Sequence, residues 1–372
     1  MRDFALEVHF SQWEFAAKHH LTASDCETMS LDGLLGLASA QDRSAFEHIG
    51  LGYTETFGAA ALRAEIARTY DTVGPEHLLC FAGAEEGIYA AMRVLLDPAD
   101  HAVVITPNYQ AAETVPLDIC EVTGVPLDIE RHWDLDPDRV RAALRPHTRL
   151  VSINFPNNPT GKIISREAFD AIVEICRSRG IWLFSDEVYR LIERDPRLRL
   201  PQAVDVYERG ISLNAMSKVY GLPGLRIGWL ACKDRSALVR FERYKHFPSI
   251  CNSAPSEALA LIALKSRETI LQRNRMLVSD NRSLLGAFFA DYPHLFDWRE
   301  PDGGCVGFIR YKGAEGVEEF TRRLVTESGV LFLPSSIYRS ELGPVPENYL
   351  RVGFGRAGLP AGLAALRGWL ER

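Results

Sequence analysis

The chain has 372 residues, 47% hydrophobic and 24% charged, with a formal net charge of −7; that length predicts a large domain with a smaller one beside it and a core able to host a deep cleft. The acidic balance and the lack of a basic tract argue against a nucleic-acid partner, no apolar run reaches the length of a membrane span, and the absence of an HExxH or Cys/His cluster argues against a protein-bound metal. Met1-Arg2-Asp3-Phe4 leads into no apolar targeting segment, and seven cysteines without a CxxC pair read as reduced thiols, so a cytoplasmic setting is expected.

In chain order, His101–Thr106 follows a turn at Asp97-Pro98 and has the apolar character of a buried strand. A helix from Pro137 precedes a strand over Leu150–Phe155. Ser165–Arg179 is amphipathic, with Ser165 as N-cap and Gly180 as a stop. Ile181–Ser185, Ile211–Asn214 and Arg226–Cys232 read as three more strands. Continuous apolar strands separated by helices predict a parallel sheet covered on both faces. After about residue 254 the pattern changes. Ser256–Lys265 and Glu268–Ala290 read as long helices, followed by a strand over Gly303–Tyr311, a helix over Glu315–Ser328, a strand over Tyr349–Phe354 and a final helix. The expected fold is α/β, a mostly parallel sheet sandwiched by helices plus a smaller α/β domain. The expected divisions are an N-terminal arm (1–45), a large domain (46–270) and a small C-terminal domain (271–372), with the helix from Glu268 as connector.

Ligands of open α/β sheets bind beyond the carboxyl ends of strands, and polar residues gather there in this sequence. Asn157-Asn158-Pro159-Thr160-Gly161 follows one strand, Asp186-Glu187-Val188-Tyr189 a second and Ser217-Lys218 a third, while Gly83-Ala84-Glu85-Glu86-Gly87 opens an apolar helix. Four such groups are more than a fold needs. Their order and spacing, with Tyr53, Pro107-Asn108-Tyr109, the run from Ser217 to Trp229 and Tyr349-Leu350-Arg351-Val352-Gly353-Phe354-Gly355, resemble the class I/II aminotransferases, the fold-type I pyridoxal 5′-phosphate (PLP) enzymes. The resemblance spans nearly the whole chain.

That resemblance implies a role for each residue. Lys218 carries PLP as a Schiff base, for which its amine must lose a proton; a neighbouring cation or a desolvated pocket lowers a lysine pKa enough. Arg226, eight residues on past the Gly221–Gly224 turn, reaches the phosphate. Asp186 holds the pyridine nitrogen protonated, so that the ring accepts electrons from the substrate Cα. Tyr189 and Asn158 bond the phenolic oxygen, Tyr109 lies against the ring, and the Ala84 and Glu85 N–H groups meet the phosphate at a helix start. Two departures stand out. Glu85 replaces a common hydroxyl residue, so its carboxylate is expected to point away from the phosphate, and Ala215 replaces a common serine, for which Ser217 substitutes in part. Tyr53 resembles the tyrosine that reaches the neighbouring subunit's phosphate, implying a homodimer. Arg351 resembles the clamp on the substrate α-carboxylate, a role suited to its planar fork.

The implied activity is transfer of an amino group between an L-amino acid and a 2-oxo acid. The same residues also serve elimination and cyclisation. The N-terminal segment lacks the glycine-proline loop of aspartate-type transaminases and is similar to capreomycidine synthase-like members, which points to a lyase or cyclase as the alternative. In that case Asp25 or Glu27 would receive a cationic side chain. A nicotinamide dehydrogenase is disfavoured by the lack of GxGxxG after a first strand, and nothing is long or basic enough for a fused DNA-binding domain.

Overall fold

The computed structural model describes residues 1–372. Its main sheet has seven strands: β1 (Leu78–Phe81), β2 (His101–Thr106), β3 (Glu121–Pro126), β4 (Thr148–Asn154), β5 (Trp182–Asp186), β6 (Gly210–Ala215) and β7 (Gly228–Cys232). They lie in the order β1-β7-β6-β5-β4-β2-β3. Strands β3, β2, β4, β5 and β6 run parallel, and β7 runs antiparallel to both β6 and β1. Every residue of β1, β2, β5 and β7 is buried, which is why these strands read as unbroken apolar runs. Two strands had not been expected. β1 is only four residues long, and the edge strand β3 (EVTGVP) is polar and ends on a proline.

Local chemistry sets the element ends. The helix Arg166–Arg179 starts where the Ser165 hydroxyl accepts the Ala168 N–H, a cap that contributes about 1 kcal/mol. It stops at Gly180, whose φ of +62° suits a left-handed cap. The strand expected from Arg226 begins instead at Gly228. Arg226 itself sits at φ +51°, closing the short turn Pro223–Leu225, and that turn swings its side chain back toward β1. Similarly, the strand expected from Gly303 begins at Val306, because Gly303 packs against Pro156 and Gly304, at φ +77°, against Tyr189.

The 25-residue helix Arg267–Asp291 leads to a second, antiparallel sheet with Leu333–Pro334, Tyr349–Gly353, Val306–Tyr311 and Phe296–Asp297 in that order. The N-terminal segment is fastened to this part. His19–His20 pairs in parallel with Val330–Leu331, and Gly353 donates its N–H to Leu21 O at 2.8 Å. The segment then runs on across the carboxyl edge of the main sheet.

Candidate active site

Sheet register gathers the predicted residues. Asn154 at the end of β4 stands beside Asp186 at the end of β5, Asp186 beside Leu213, Ala215 beside Gly228, and Gly228 beside Phe81. The segments leaving this row (82–85, 155–158, 187–189 and 216–218) therefore enter one space. A cavity of about 1040 Å³ lies there, closed on the far side by residues 4–27. Ala84, Glu85, Tyr109, Asn158, Asp186, Tyr189, Ser217, Lys218 and Arg226 all line it.

On the cavity floor, the amine of Lys218 donates to Ser24 Oγ at 2.9 Å. Burial holds the amine below the ordinary lysine range. Asp25 and Asp186 pull the other way and Arg351 adds to the depression, but desolvation dominates. Asp186 is buried, which raises its carboxyl to about 6 against the opposing effects of the Val188 N–H, 3.2 Å away, and the Lys218 charge. The adjacent Glu187 points the other way, into the core, where it accepts from Ala203 N at 2.9 Å and Ser212 Oγ at 2.8 Å. Strand alternation thus aims one acid at the cavity and uses its neighbour to fasten the sheet. Asn154 accepts from Asn158 N at 2.8 Å and donates to Asp186 O at 3.0 Å, which fixes the turn that carries Asn158.

At the other end, Gly83 precedes the helix Ala84–Leu95 with φ +97° and ψ 170°. A Cβ there would stand 3.0 Å from Arg226 Cζ and closer still to Nη2, and a Cβ on Gly228 would meet Ala84 N at 2.8 Å. Two glycines thus leave room for a guanidinium next to the residue that precedes a helix, a set suited to a phosphate. The side chain of Glu85 departs from expectation. It does not turn away but lines the cavity, with Oε2 buried and unpartnered. Its carboxyl is pushed up to about 7, chiefly by burial, with Tyr109, Glu7, Asp186 and Arg226 acting on it. Held inside the cavity, the carboxyl is shifted toward its neutral form, which can sit beside an anion more readily than a carboxylate. Tyr109 packs its ring against Phe4 at 5.1 Å.

Arg351 is fully buried, not exposed on its strand. Nη1 donates to Asn158 Oδ1 at 3.1 Å and Tyr338 Oη at 2.6 Å, Nη2 donates to Thr22 O at 2.7 Å, and Nε has no partner. The Tyr189 hydroxyl donates to Ser24 O at 2.8 Å. Asp25 and Glu27 are not free to receive a cationic side chain. Arg356 clamps Asp25 through two bonds of 3.1 and 2.7 Å, and Glu27 accepts the Ala357 N–H at 2.6 Å. Tyr53 lies outside the cavity, 90% exposed. Sequence reasoning missed Thr22, Ser24, Tyr338 and Arg356, since none stands in a motif. The only signal was that Thr22 and Ser24 stand next to Asp25 in the N-terminal segment.

These donors fit pyridoxal 5′-phosphate. A phosphate cradle, a buried amine and a buried carboxyl border the same cavity, and the orphaned Glu85 oxygen marks a polar position without a protein partner. Comparisons with known proteins agree. The model of the family described as aminotransferase class I and II matches residues 35–363. The arginine–pyruvate transaminase AruH of Pseudomonas aeruginosa is 29% identical over 315 residues, 81% of this chain and 77% of that protein. Capreomycidine synthase of Streptomyces vinaceus is 29% identical over 318 residues, 84% and 79% of the two chains. A solved PLP-dependent aminotransferase from Streptococcus suis superposes with a TM-score of 0.92 at 28% identity, covering 100% of this chain and 98% of that one. The chain belongs to the aminotransferase class I and II family and is a PLP-dependent aminotransferase.

Proposed function

We propose that Lys218 carries the cofactor and moves the substrate proton, and that the amino donor is an L-amino acid with a cationic side chain. The convergence of Lys218, Asp186 and Arg226 on one cavity carries the first part of this reading. Bound PLP supplies the electron sink that lets the substrate Cα–H bond break. Arg226 and the Ala84 and Glu85 N–H groups hold its phosphate, with Ser217 at the rim, and Tyr109 lies against its ring. Asp186 holds a proton on the ring nitrogen; either charge buried alone would cost several kcal/mol, so carboxylate and pyridinium stabilise each other. Asn158 and Tyr189 bond the phenolic oxygen, Tyr189 giving up Ser24 O to do so. Arg351 exchanges the Thr22 carbonyl for the substrate α-carboxylate, and the two-pronged contact orients the Cα–H bond. The Lys218 amine, whose hold on a proton burial weakens, would take the proton from the substrate Cα and keep it for return.

The donor class follows from the wall formed by the N-terminal helix Ala5–Trp13 and the residues after it. Glu7 and Glu14 line the cavity there without a basic partner, against a single unpaired lysine, Lys18. The Glu14 carboxyl is raised chiefly by burial, then by Glu7 and Asp25, with Arg356 opposing; the like-charge contribution from the two acids supports a region that accepts an added positive charge. The similarity to an arginine–pyruvate transaminase supports the same class. A second reading, a lyase or cyclase acting on an arginine-like amino acid, is supported by the equal identity to capreomycidine synthase. We further propose a homodimer in which Tyr53 reaches the partner's phosphate, supported by the exposed apolar group Leu51, Tyr53, Phe247 and Ile250. We also propose the division into residues 1–45, 46–270 and 271–372, and a cytoplasmic setting, consistent with seven free cysteines.

The test is an absorbance spectrum of the PLP-loaded protein against single amino acids. Arginine, ornithine and lysine should bleach the visible band, pyruvate should restore it, and aspartate should act at least about tenfold more weakly. The substitutions Glu7→Gln and Glu14→Gln together should erase that preference. Equal rates for aspartate and arginine would sink the donor class. Release of ammonia or a cyclic product, without restoration by a keto acid, would favour the second reading.

A further inference from the structure

The N-terminal strap Thr22–Cys26 touches three of the side chains assigned above. Thr22 O accepts from Arg351, Ser24 O from Tyr189, and Ser24 Oγ from the Lys218 amine. The Ser24 hydroxyl has no other partner, so it is not occupied in capping or bracing the strap. The strap is anchored before Ser24, where Leu21 O accepts the Gly353 N–H at 2.8 Å, and after it by two further contacts. Arg356 clamps Asp25, and the Cys26 N–H donates to Lys218 O at 3.1 Å. Through that last bond the strap and the lysine backbone share one frame. The hydroxyl is therefore held at a constant offset from the root of the very side chain it contacts.

We propose that Ser24 is a positioning residue for Lys218, holding its amine on the cavity floor whenever the amine is not bonded to the cofactor. The proposal rests on the reading of Lys218 as the proton carrier. A lysine amine sits on a four-carbon stem, and once detached it is free to sample many rotamers. Proton transfer needs it near the substrate Cα, at hydrogen-bonding reach. The Cys26–Lys218 backbone bond restrains the root of the stem and Ser24 Oγ restrains its tip. Restoring the freedom of a lysine side chain costs about tenfold to thirtyfold in the fraction correctly placed. Ser24 touches neither the phosphate cradle nor Asp186, so cofactor affinity should be independent of it.

The test compares Ser24→Ala, Ser24→Thr and Lys218→Ala with the wild type. Three quantities are read: equilibrium PLP affinity of the apoprotein by absorbance titration, melting temperature, and exchange of Cα hydrogen for deuterium across a mixture of the standard L-amino acids by mass spectrometry. For the fastest-exchanging amino acid, kcat and KM are then measured with pyruvate. Ser24→Ala should leave PLP affinity, melting temperature and KM within about twofold or a degree or two of wild type, while exchange and kcat fall about tenfold to thirtyfold. Ser24→Thr, which keeps the hydroxyl, should recover most of the loss. The proposal is overturned if Ser24→Ala keeps full exchange, or if PLP affinity and melting temperature fall together with kcat and threonine restores nothing. Persistence of the visible band and of exchange in Lys218→Ala would instead overturn the underlying reading of Lys218.

Discussion

Gly83→Ala gives the most exacting check on the phosphate cradle. The backbone at Gly83, φ +97° and ψ 170°, lies in a region essentially reserved for glycine, so alanine is strained there by about 1–3 kcal/mol. The added methyl would also stand 3.0 Å from Arg226 Cζ, where contacts are comfortable at about 3.5–4.0 Å. The guanidinium must then retreat by half an ångström or more. It cannot do so without giving up its place beside the helix start, because its own Nη atoms are already tied at 3.3 Å to Pro223 O and Ala82 O. Losing one charge-assisted contact to a phosphate costs about 1.5–3 kcal/mol, a tenfold to hundredfold drop in PLP affinity. Strain alone would weaken the fold but would not discriminate between ligands. The assay is therefore a pair of absorbance titrations of the apoprotein, one with PLP and one with pyridoxal, which lacks the phosphate. The ratio of the two affinities should fall by at least about tenfold in Gly83→Ala. An unchanged ratio, even with a lower melting temperature, would refute the assignment of Gly83 and Arg226 to the phosphate.

Two further predictions concern the buried charges. The carboxyl of Asp186 is raised from 3.8 to about 6, so burial favours its protonated form in the cofactor-free fold. Its contribution to stability is present below about pH 4 and is lost as pH rises through about 6, on the order of 3 kcal/mol in all. Apoprotein melting curves of wild type and Asp186→Asn should therefore diverge over that window in favour of the asparagine variant; Glu187 cancels, and Glu85, which the Asp186 charge helps to raise, adds to the divergence in the same direction. Parallel curves from pH 4 to 7 would show that the carboxylate is not strained by burial. For Arg351→Lys, the charge stays but the second arm of the fork is lost. Steady-state kinetics should show KM for the amino acid up about tenfold to a hundredfold with a smaller change in kcat, and a KM within twofold of wild type would remove Arg351 from the substrate site.

Much of the architecture was legible in the chain itself, because it depends on short-range chemistry. Buried strands such as His101–Thr106 and Ile181–Ser185 announce themselves by unbroken apolar runs, and the Ser165 cap and Gly180 stop by their side chains. The polar groups after those strands pointed to the cofactor, since a parallel sheet brings its carboxyl ends to one edge. Register between neighbours then made that edge a site. What the chain could not reveal were contacts closed across long separations. Ser24 meets Lys218 across 194 residues, Thr22 meets Arg351 across 329, and Arg356 takes up Asp25 across 331. No periodicity or spacing encodes such pairs. Asp25, offered to a cationic side chain under the lyase or cyclase alternative, is clamped by Arg356 instead, while Glu7 and Glu14 went unnoticed as the unpaired acids of the wall. Glu85 makes the same point. Its charge alone argued for turning outward, but whether a carboxyl stays charged depends on the burial that only the assembled cavity imposes.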